Sequence, residues 1–208
     1  MKKVTLTFIL FFLFAVLLPV FSNERYFLGK YLSYPSYSSS KTKVSQKEFK
    51  HAAKVALLRG KKIWQDNLKN HENTYFYTRS FSSWVGFGHK TLVVIKDGKA
   101  ILRAFKTFHN QKKVFVSTKY IERQNEVGHH KQGFKPLLVS KLYQQCTTVM
   151  SLSLDYFGVG LHITENGTIK SCFSRPLNCV DDCSTSYNID ILKFGKPNKK
   201  DIAKFLDN

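Results

Sequence analysis

Residues 90–106 read KTLVVIKDGKAILRAFK and contain the clearest structural signal in the chain. Two segments rich in β-branched and other apolar residues, 90–95 and 99–106, flank the dipeptide Asp97-Gly98. An Asp-Gly pair supplies the two positive φ angles of a tight type I′ hairpin turn. The stretch therefore predicts two neighbouring antiparallel strands and a sheet built around them.

An amphipathic helix is expected before this hairpin. Ser45 and Glu48 have the spacing of a capping box, and apolar residues then recur at helical intervals over residues 45–69. Gly60 lies inside this helix and weakens it slightly. The apolar face comprises Phe49, Ala52, Ala53, Ala56, Leu57, Ile63 and Trp64.

Periodicity and turn residues predict the other elements. Pro136 suits the first turn of a second helix that runs to about Met150. Asn166-Gly167 is a second hairpin signal, and Asn198 can cap a short last helix. The remaining segments are strands at 74–81 and 113–117, a loop at 121–134, strands at 156–164 and 168–173, a strand through Tyr187, Ile189 and Ile191, and a last helix whose Ile202, Phe205 and Leu206 face inward.

Helices that alternate with antiparallel hairpins indicate an α+β fold. We expect a single antiparallel twisted sheet, packed against the N-terminal amphipathic helix and the second, central helix, and stabilised by disulfides.

The first 22 residues, 1–22, have the organisation of a secretory signal peptide. Lys2 and Lys3 form a charged start, residues 4–21 carry no charge, and Ser22 offers a small residue for cleavage. An uncleaved membrane anchor is the alternative, because this apolar stretch is close to the shortest that spans a bilayer. We expect a secreted protein, extracellular or periplasmic.

Two further segments follow the predicted signal peptide. Residues 23–44 are rich in Tyr and Ser and have no clear period, which is typical of a leader or linker. Their tyrosines could instead pack as an arm onto the domain. Residues 45–208 have the length and the apolar content of a single α+β domain.

The four cysteines are Cys146, Cys172, Cys179 and Cys183. In an exported chain an even number of cysteines indicates two disulfides. The three that are close together cannot all pair among themselves, so one of them must reach Cys146. Zinc ligation is the rival interpretation, but six and three intervening residues are poor spacings for a zinc finger.

The chain is strongly basic, with 33 Lys and Arg against 14 Asp and Glu and a formal net charge of +19. Such a charge attracts nucleic acid, acidic glycans, anionic lipid or an acidic protein, and it also keeps a protein soluble. On the predicted first helix, Lys47, Lys50, Lys54 and Lys61 gather opposite the apolar face. We expect a non-catalytic binding domain whose partner is an anionic polymer or surface, or an extracellular protein. The four lysines would be its anion-binding residues, in a monomer.

No catalytic, metal-binding or cofactor-binding signature is present, so we assign no catalytic residues, no metal site and no cofactor. Seven histidines leave a nuclease-like secreted hydrolase as one alternative. A protein inhibitor that presents a disulfide-pinned loop such as 173–183 is another.

Asn166 begins an Asn-Gly-Thr sequon, which matters only where the host glycosylates. Four aromatic residues, Trp84, Phe87, Tyr75 and Tyr77, lie near basic residues. Nucleic-acid surfaces use such a mixture for stacking, although aromatic residues on strands more often pack in the core or in cross-strand pairs.

A further pattern runs through the predicted first helix and the Asp-Gly hairpin. It comprises Leu57, Trp64, Gln65, Asn73, Tyr75, Tyr77, Arg79, Val93, Val94, Asp97, Gly98 and Lys99. This pattern resembles a family of short exported domains of unknown function, in which a Trp-bearing helix leads into an Asn-Tyr-x-Tyr strand and an Asp-Gly hairpin. The sequence departs from the pattern by reading Asn73-Thr74-Tyr75-Phe76-Tyr77, by carrying a longer central loop and by adding the cysteine cluster. The resemblance implies a fold and export, and it implies no activity.

Overall fold

The computed structural model describes residues 28–29, 31–34, 45–109, 118–180 and 183–207. The helices within these ranges are α1 (Gln46–Lys69), α2 (Val139–Ser151) and α3 (Lys199–Asp207), and Gln124–Glu126 form a 3-10 turn. The strands are β1 (Tyr31–Tyr34), β2 (Thr74–Ser82), β3 (Phe87–Lys96), β4 (Lys99–His109), β5 (Lys119–Arg123), β6 (Phe157–Ile163), β7 (Ile169–Pro176), β8 (Thr185–Asn188) and β9 (Ile191–Phe194). The predicted signal segment 1–22 and the predicted strand 113–117 lie outside the described residues.

The described strands form two antiparallel sheets, so the α+β class is confirmed and the prediction of a single sheet is wrong. The large sheet has the strand order β5-β4-β3-β2-β9, and the small sheet has the order β1-β6-β7-β8. Each sheet contains a meander that follows its own helix, since β2 to β5 come after α1 and β6 to β8 come after α2. Each also gains a strand from elsewhere in the chain: β1 pairs with β6, and β9 pairs with β2.

The passage from β8 to β9 shows why one sheet was the wrong expectation. The apolar alternation through Tyr187, Ile189 and Ile191 predicts which side of a sheet each side chain faces. It does not predict which neighbouring strand this segment pairs with. The chain in fact changes sheets here. The Ile189 N–H donates to the Lys170 carbonyl at 3.0 Å, and the next N–H, of Asp190, donates to the Thr78 carbonyl of the large sheet at 2.9 Å. The predicted single strand is therefore two short strands in different sheets.

The main hydrophobic core joins both long helices to one face of each sheet. Trp64 of α1 lies in this core, with its ring centroid 6.1 Å from those of Tyr75 in β2 and Tyr143 in α2. A disulfide between Cys146 and Cys172 ties α2 to β7, with 5.9 Å between the Cα atoms. The predicted apolar face of α1 is confirmed except at Ile63, which is only partly buried.

A second, smaller core lies on the opposite face of the large sheet. The C-terminal helix α3 packs there, against Phe76, Leu92, Val94, Leu102 and Ala104. Its contacting residues are Ile202, Phe205 and Leu206, as the sequence predicted. The Asn198 side chain accepts a hydrogen bond from the Asp201 N–H at 2.7 Å, which confirms the predicted cap.

Both predicted hairpin turns join the expected strands, but they differ in type. Asp97 and Gly98 have φ angles of +48° and +73°, as a type I′ turn requires. In the β6–β7 connection only Gly167 has a positive φ, of +79°. The Gly167 N–H donates to the Thr164 carbonyl at 3.0 Å, so this is a longer turn that ends in a left-handed glycine.

The start of α2 is later than predicted. Pro136 does not begin the helix, because the following segment is extended and is bonded to the large sheet. The Leu137 N–H donates to the Tyr77 hydroxyl at 2.6 Å, and the Val139 N–H donates to the Tyr75 hydroxyl at 3.1 Å. Leu138, in extended conformation, is then the N-cap residue.

Two other segment predictions need correction. Residues 121–123 end β5 and do not belong to the predicted loop 121–134. Within the predicted leader, β1 pairs with β6, and the Tyr34 ring lies 5.7 Å from Phe49 of α1. The structure thus agrees with the alternative in which tyrosines of this segment pack onto the folded chain.

Candidate functional site

The helix α1 positions the four lysines that the sequence singles out. Its first turn has the predicted capping box: the Glu48 N–H donates to Ser45 Oγ, and the Ser45 N–H donates to the Glu48 carboxylate at 2.9 Å. The apolar face of α1 is buried, which directs Lys47, Lys50, Lys54 and Lys61 into solvent. The structure therefore brings these lysines to one exposed face of a single helix.

A groove between α1 and α2 adjoins three of these lysines. It has a volume of about 390 Å³, and Lys50, Lys54 and Lys61 lie along it, whereas Lys47 is not among its described lining residues. The other lining residues are Leu57, Leu58, Tyr143, Gln144, Thr147, Met150 and Ser151. Leu58 is 63% exposed there, so the groove combines an accessible apolar wall with a row of cations.

The charged residues that line this lysine groove are all basic. No acidic residue is among its described lining residues. Glu48, the acidic residue at the start of α1, is engaged by Ser45, whose hydrogen bonds lower the pKa of the Glu48 carboxyl. Within the part of the chain that the structure describes, the ion pairs involve other groups, at Glu122 and Asp201. The positive potential of Lys50, Lys54 and Lys61 is therefore not neutralised by the neighbouring protein.

Close packing beneath the groove fixes the distance between α1 and the β6–β7 turn. A Cβ on Gly60 would lie 2.7 Å from Ile163 Cγ2, and a Cβ on Gly167 would lie 2.4 Å from the Gly60 carbonyl oxygen. The Tyr143 hydroxyl donates to the Gly167 carbonyl, which holds α2 to the same turn. The groove is thus a fixed surface rather than a gap between loosely packed helices.

The lining of the groove is cationic, apolar and uncharged polar. Its described residues include no His, Cys, Asp or Glu. Burial raises the pKa of the Tyr143 hydroxyl, so this phenol stays neutral at physiological pH. The groove therefore offers three lysines, apolar side chains and the polar groups of Gln144, Thr147 and Ser151.

The histidines are spread over separate environments. The rings of His71, His130 and His162 lie against Phe194, Tyr120 and Tyr31 respectively. His89 packs between Phe105 and Phe134, and burial followed by the charge of Arg79 lowers its pKa. These four rings therefore pack against aromatic partners in separate places, and the hydrolase alternative stays a prediction. Among the described residues, no group of three or more His, Cys, Asp or Glu could hold a metal ion.

A buried polar network on the large sheet was not anticipated from the sequence. Arg103 of β4 pairs with Glu122 of β5, and its guanidinium donates to the carbonyl oxygens of His130, Gln132 and Phe134. The Glu122 carboxylate in turn accepts the N–H groups of Gly128 and His130, at 2.8 and 2.6 Å. Every polar group of the pair has a partner, which marks a structural anchor for residues 128–134. The sequence signal that could have indicated this network is Arg103, a charged residue at a position of the predicted strand 99–106 where the side chain points into the protein.

The cysteine loop is shorter than the sequence suggested. Because Cys172 bonds Cys146, the pinned loop is the ring closed by Cys179 and Cys183, rather than the predicted 173–183. Val180 in this ring is 97% exposed. An inhibitory role for the ring stays a prediction, as does glycosylation at Asn166, which is exposed in the β6–β7 turn.

The aromatic residues near basic positions divide into two groups. Tyr75 and Tyr77 are buried in the core, at 3% and 0% exposure, and cannot stack on a nucleic acid. Trp84 and Phe87 are exposed, at 95% and 51%, at the tip of the β2–β3 hairpin. The sequence did not separate the two groups, because both lie in segments that are rich in aromatic residues.

Two disulfides are typical of a protein that folds in an oxidising compartment outside the cytoplasm. None of the described helices is long and apolar enough to cross a membrane. Comparison with protein-family models, with curated proteins and with solved structures gave no match. The resemblance to exported domains of unknown function therefore stays an expectation, and function must be argued from the surface itself.

Proposed function

We propose that this protein is an exported, non-catalytic binding domain for an anionic partner, which it contacts along the lysine groove of α1. The observation that carries this proposal is the row of Lys50, Lys54 and Lys61 beside an apolar groove, with no acidic residue among the described lining. Lysines that merely solubilise a helix need no groove and are commonly interspersed with acidic residues.

The spacing of the lysines favours an extended partner. Lys50 and Lys61 are eleven positions apart on α1, which corresponds to about 16 Å along a helix axis. Lys54 lies between them on the same face, so the three charges form a line. An anionic polymer or surface presents charges over such a length, whereas a single small anion contacts one or two of them. The apolar wall adds contact with the uncharged parts of the partner.

A labelled heparin fragment is a suitable probe of this site. Neutralised anionic groups release counterions, so affinity should fall linearly with salt on a logarithmic plot between about 50 and 300 mM. The triple variant Lys50→Gln/Lys54→Gln/Lys61→Gln should bind more weakly at every salt concentration. Its slope should be smaller by up to about three, roughly one unit for each lysine.

The matched control removes the same charge elsewhere. Lys99, Lys131 and Lys200 are exposed and lie outside α1. Their triple replacement by Gln should retain most of the affinity. Equal losses in the two triple variants would show attraction by net charge alone and would overturn the groove as the site. Failure of the unaltered protein to bind heparin at low salt would overturn the proposed function as a whole.

A further inference from the structure

The tip of the β2–β3 hairpin carries an exposed apolar cluster that the proposed function does not use. Trp84 is 95% exposed, and three neighbouring apolar side chains are also in solvent. They are Phe87 at 51%, Phe81 at 46% and Val85 at 38% exposure. Single exposed apolar residues are normal, but a contiguous group that contains a bare tryptophan marks a contact surface.

The hairpin presents this cluster on a well-bonded turn. The Ser83 N–H donates to the Phe87 carbonyl at 2.8 Å, and the Gly86 N–H donates to the Ser83 carbonyl at 3.0 Å. The Val85 N–H donates to the Ser83 hydroxyl at 3.2 Å. The N–H groups of Ser83, Val85 and Gly86 are thus satisfied within the turn, which lowers the cost of moving the tip out of water.

The charge around the tip is positive. From Asn73 to Ile121 the sequence contains one acidic residue, Asp97, and it lies at the far end of β3. Lys90 is exposed about 10 Å along β3 from Phe87. In the sheet, Lys90 lies opposite Lys106, which lies opposite Lys119, so the lysines form a row across three strands. Exposed Lys90 and Lys119 are placed to meet anionic groups while the tip contacts apolar material.

We propose that the Phe81–Phe87 tip inserts into the interfacial region of a lipid bilayer that contains anionic headgroups. Trp and Phe favour the membrane interface, and basic residues next to them gain from the negative surface potential of anionic lipids. A protein partner fits less well. The tip is a single hairpin end with four apolar side chains, whereas a stable protein interface buries roughly 800 Å² on each partner. This inference rests on the tip and on the nearby lysines of the large sheet, and it is independent of the lysine groove.

The tryptophan content provides the experiment. The chain has two tryptophans: Trp64 is 5% exposed within the core, and Trp84 is 95% exposed at the tip. A change in tryptophan emission on addition of vesicles therefore reports on Trp84. With vesicles of phosphatidylcholine and phosphatidylglycerol we expect a blue shift, and we expect quenching when the lipids carry bromine on the upper acyl chain. Vesicles of pure phosphatidylcholine should give a weaker response, by about tenfold or more in partitioning.

Variants separate insertion from attraction by charge. Trp84→Ser should lower partitioning into the mixed vesicles by about tenfold in a sedimentation assay, because the largest inserted side chain is lost. Val180→Ser, at a residue 97% exposed in the cysteine ring, should bind like the unaltered protein. The triple lysine variant of α1 should keep the quenching of Trp84.

Two results would overturn the inference. One is an unchanged Trp84 emission at vesicle concentrations where the protein sediments with the lipid, which would show attraction by charge without insertion. The other is undiminished partitioning of Trp84→Ser. Neither result bears on heparin binding at the lysine groove, so the two proposals fail separately.

Discussion

The Arg103 guanidinium lies 3.0 Å from the Glu122 carboxylate, and both side chains are almost completely buried, at 2% and 1% exposure. The two residues face each other on neighbouring strands β4 and β5. Each also bonds to the segment that crosses the sheet on its way to α2, through carbonyl oxygens for Arg103 and N–H groups for Glu122. The pair therefore helps to hold in place the long connection that leads from β5 to α2.

Loss of one partner should be strongly destabilising. In Arg103→Met the Glu122 carboxylate stays buried without its cation, and we expect a loss of about 3–5 kcal/mol in the free energy of unfolding by urea. The double variant Arg103→Met/Glu122→Leu should be less destabilised than the sum of its single changes, because no buried charge remains. A cost below about 0.5 kcal/mol for Arg103→Met would show that the pair does not anchor the segment.

The Glu122 carboxylate should also make stability depend on pH. Its burial by itself raises the pKa, but hydrogen bonds from Gly128, His130 and Arg103 outweigh burial and lower the pKa to about 2. A carboxyl with a lowered folded-state pKa stabilises above its unfolded value, near 4.5, and this stabilisation is lost as pH falls towards 2.

Urea unfolding at about pH 5.5 and about pH 2.5 tests this dependence. The stability of Glu122→Gln should fall less over this range than that of the unaltered protein. Glu126→Gln, at an exposed acidic residue of the same segment, should keep the original dependence. Identical pH dependence in all three proteins would contradict the assignment.

The two disulfides should contribute unequally to stability. The Cys146–Cys172 bond joins residues 26 positions apart, whereas Cys179 and Cys183 are 4 apart. Loop-closure entropy predicts about 3–4 kcal/mol for the first bond and about 2 kcal/mol for the second. Cys146 and Cys172 are also fully buried, so replacing both by Ser adds buried hydroxyls. Thermal melts of the two double-Ser variants should place Cys146→Ser/Cys172→Ser lower, and the reverse order would contradict this prediction.

Gly60 should not accept a side chain. Alanine normally stabilises a helix interior relative to glycine by about 1 kcal/mol. At Gly60, however, the added Cβ would lie 2.7 Å from Ile163 Cγ2 and 2.9 Å from Tyr143 Oη. We expect Gly60→Ala to destabilise the protein by about 1–3 kcal/mol in urea unfolding. Gln65→Ala, at an exposed position of the same helix, should be nearly neutral, and a gain in stability in Gly60→Ala would contradict the close packing.

Local features were predictable from the sequence where a few adjacent residues determine them. Ser45 and Glu48 fixed the start of α1 because both partners of the capping box lie within four residues. Asp97-Gly98 fixed the β3–β4 turn because few residue pairs tolerate two positive φ angles. The lysine face of α1 was predictable for the same reason, since helical spacing alone places the four lysines on one side of the helix.

Features that depend on pairing between distant segments were not predictable. The Arg103–Glu122 pair exists only because β4 and β5 are in register, and the carbonyl oxygens that complete it have no side-chain signature. The groove forms only if α1 and α2 pack at a given distance. The absence of a side chain at Gly60 allows this close approach, but a glycine in a helical sequence does not by itself indicate it. The sequence showed Gly60 as a weak point in a helix, whereas the structure shows it as the place where the β6–β7 turn approaches.

The exchange of strands β1 and β9 has a consequence for how the chain reaches its native state. Tyr31 of β1 pairs with His162 of β6, and Tyr75 of β2 pairs with Phe194 of β9. Each sheet is therefore completed by a strand that is distant from its other strands in the sequence. Neither half is a self-sufficient folding unit. A cut between β5 and α2 would leave each fragment with an unpaired edge strand, β2 in the first and β6 in the second. Unpaired edge strands promote aggregation. Contacts between such remote segments slow folding, since a large loop must close before they form.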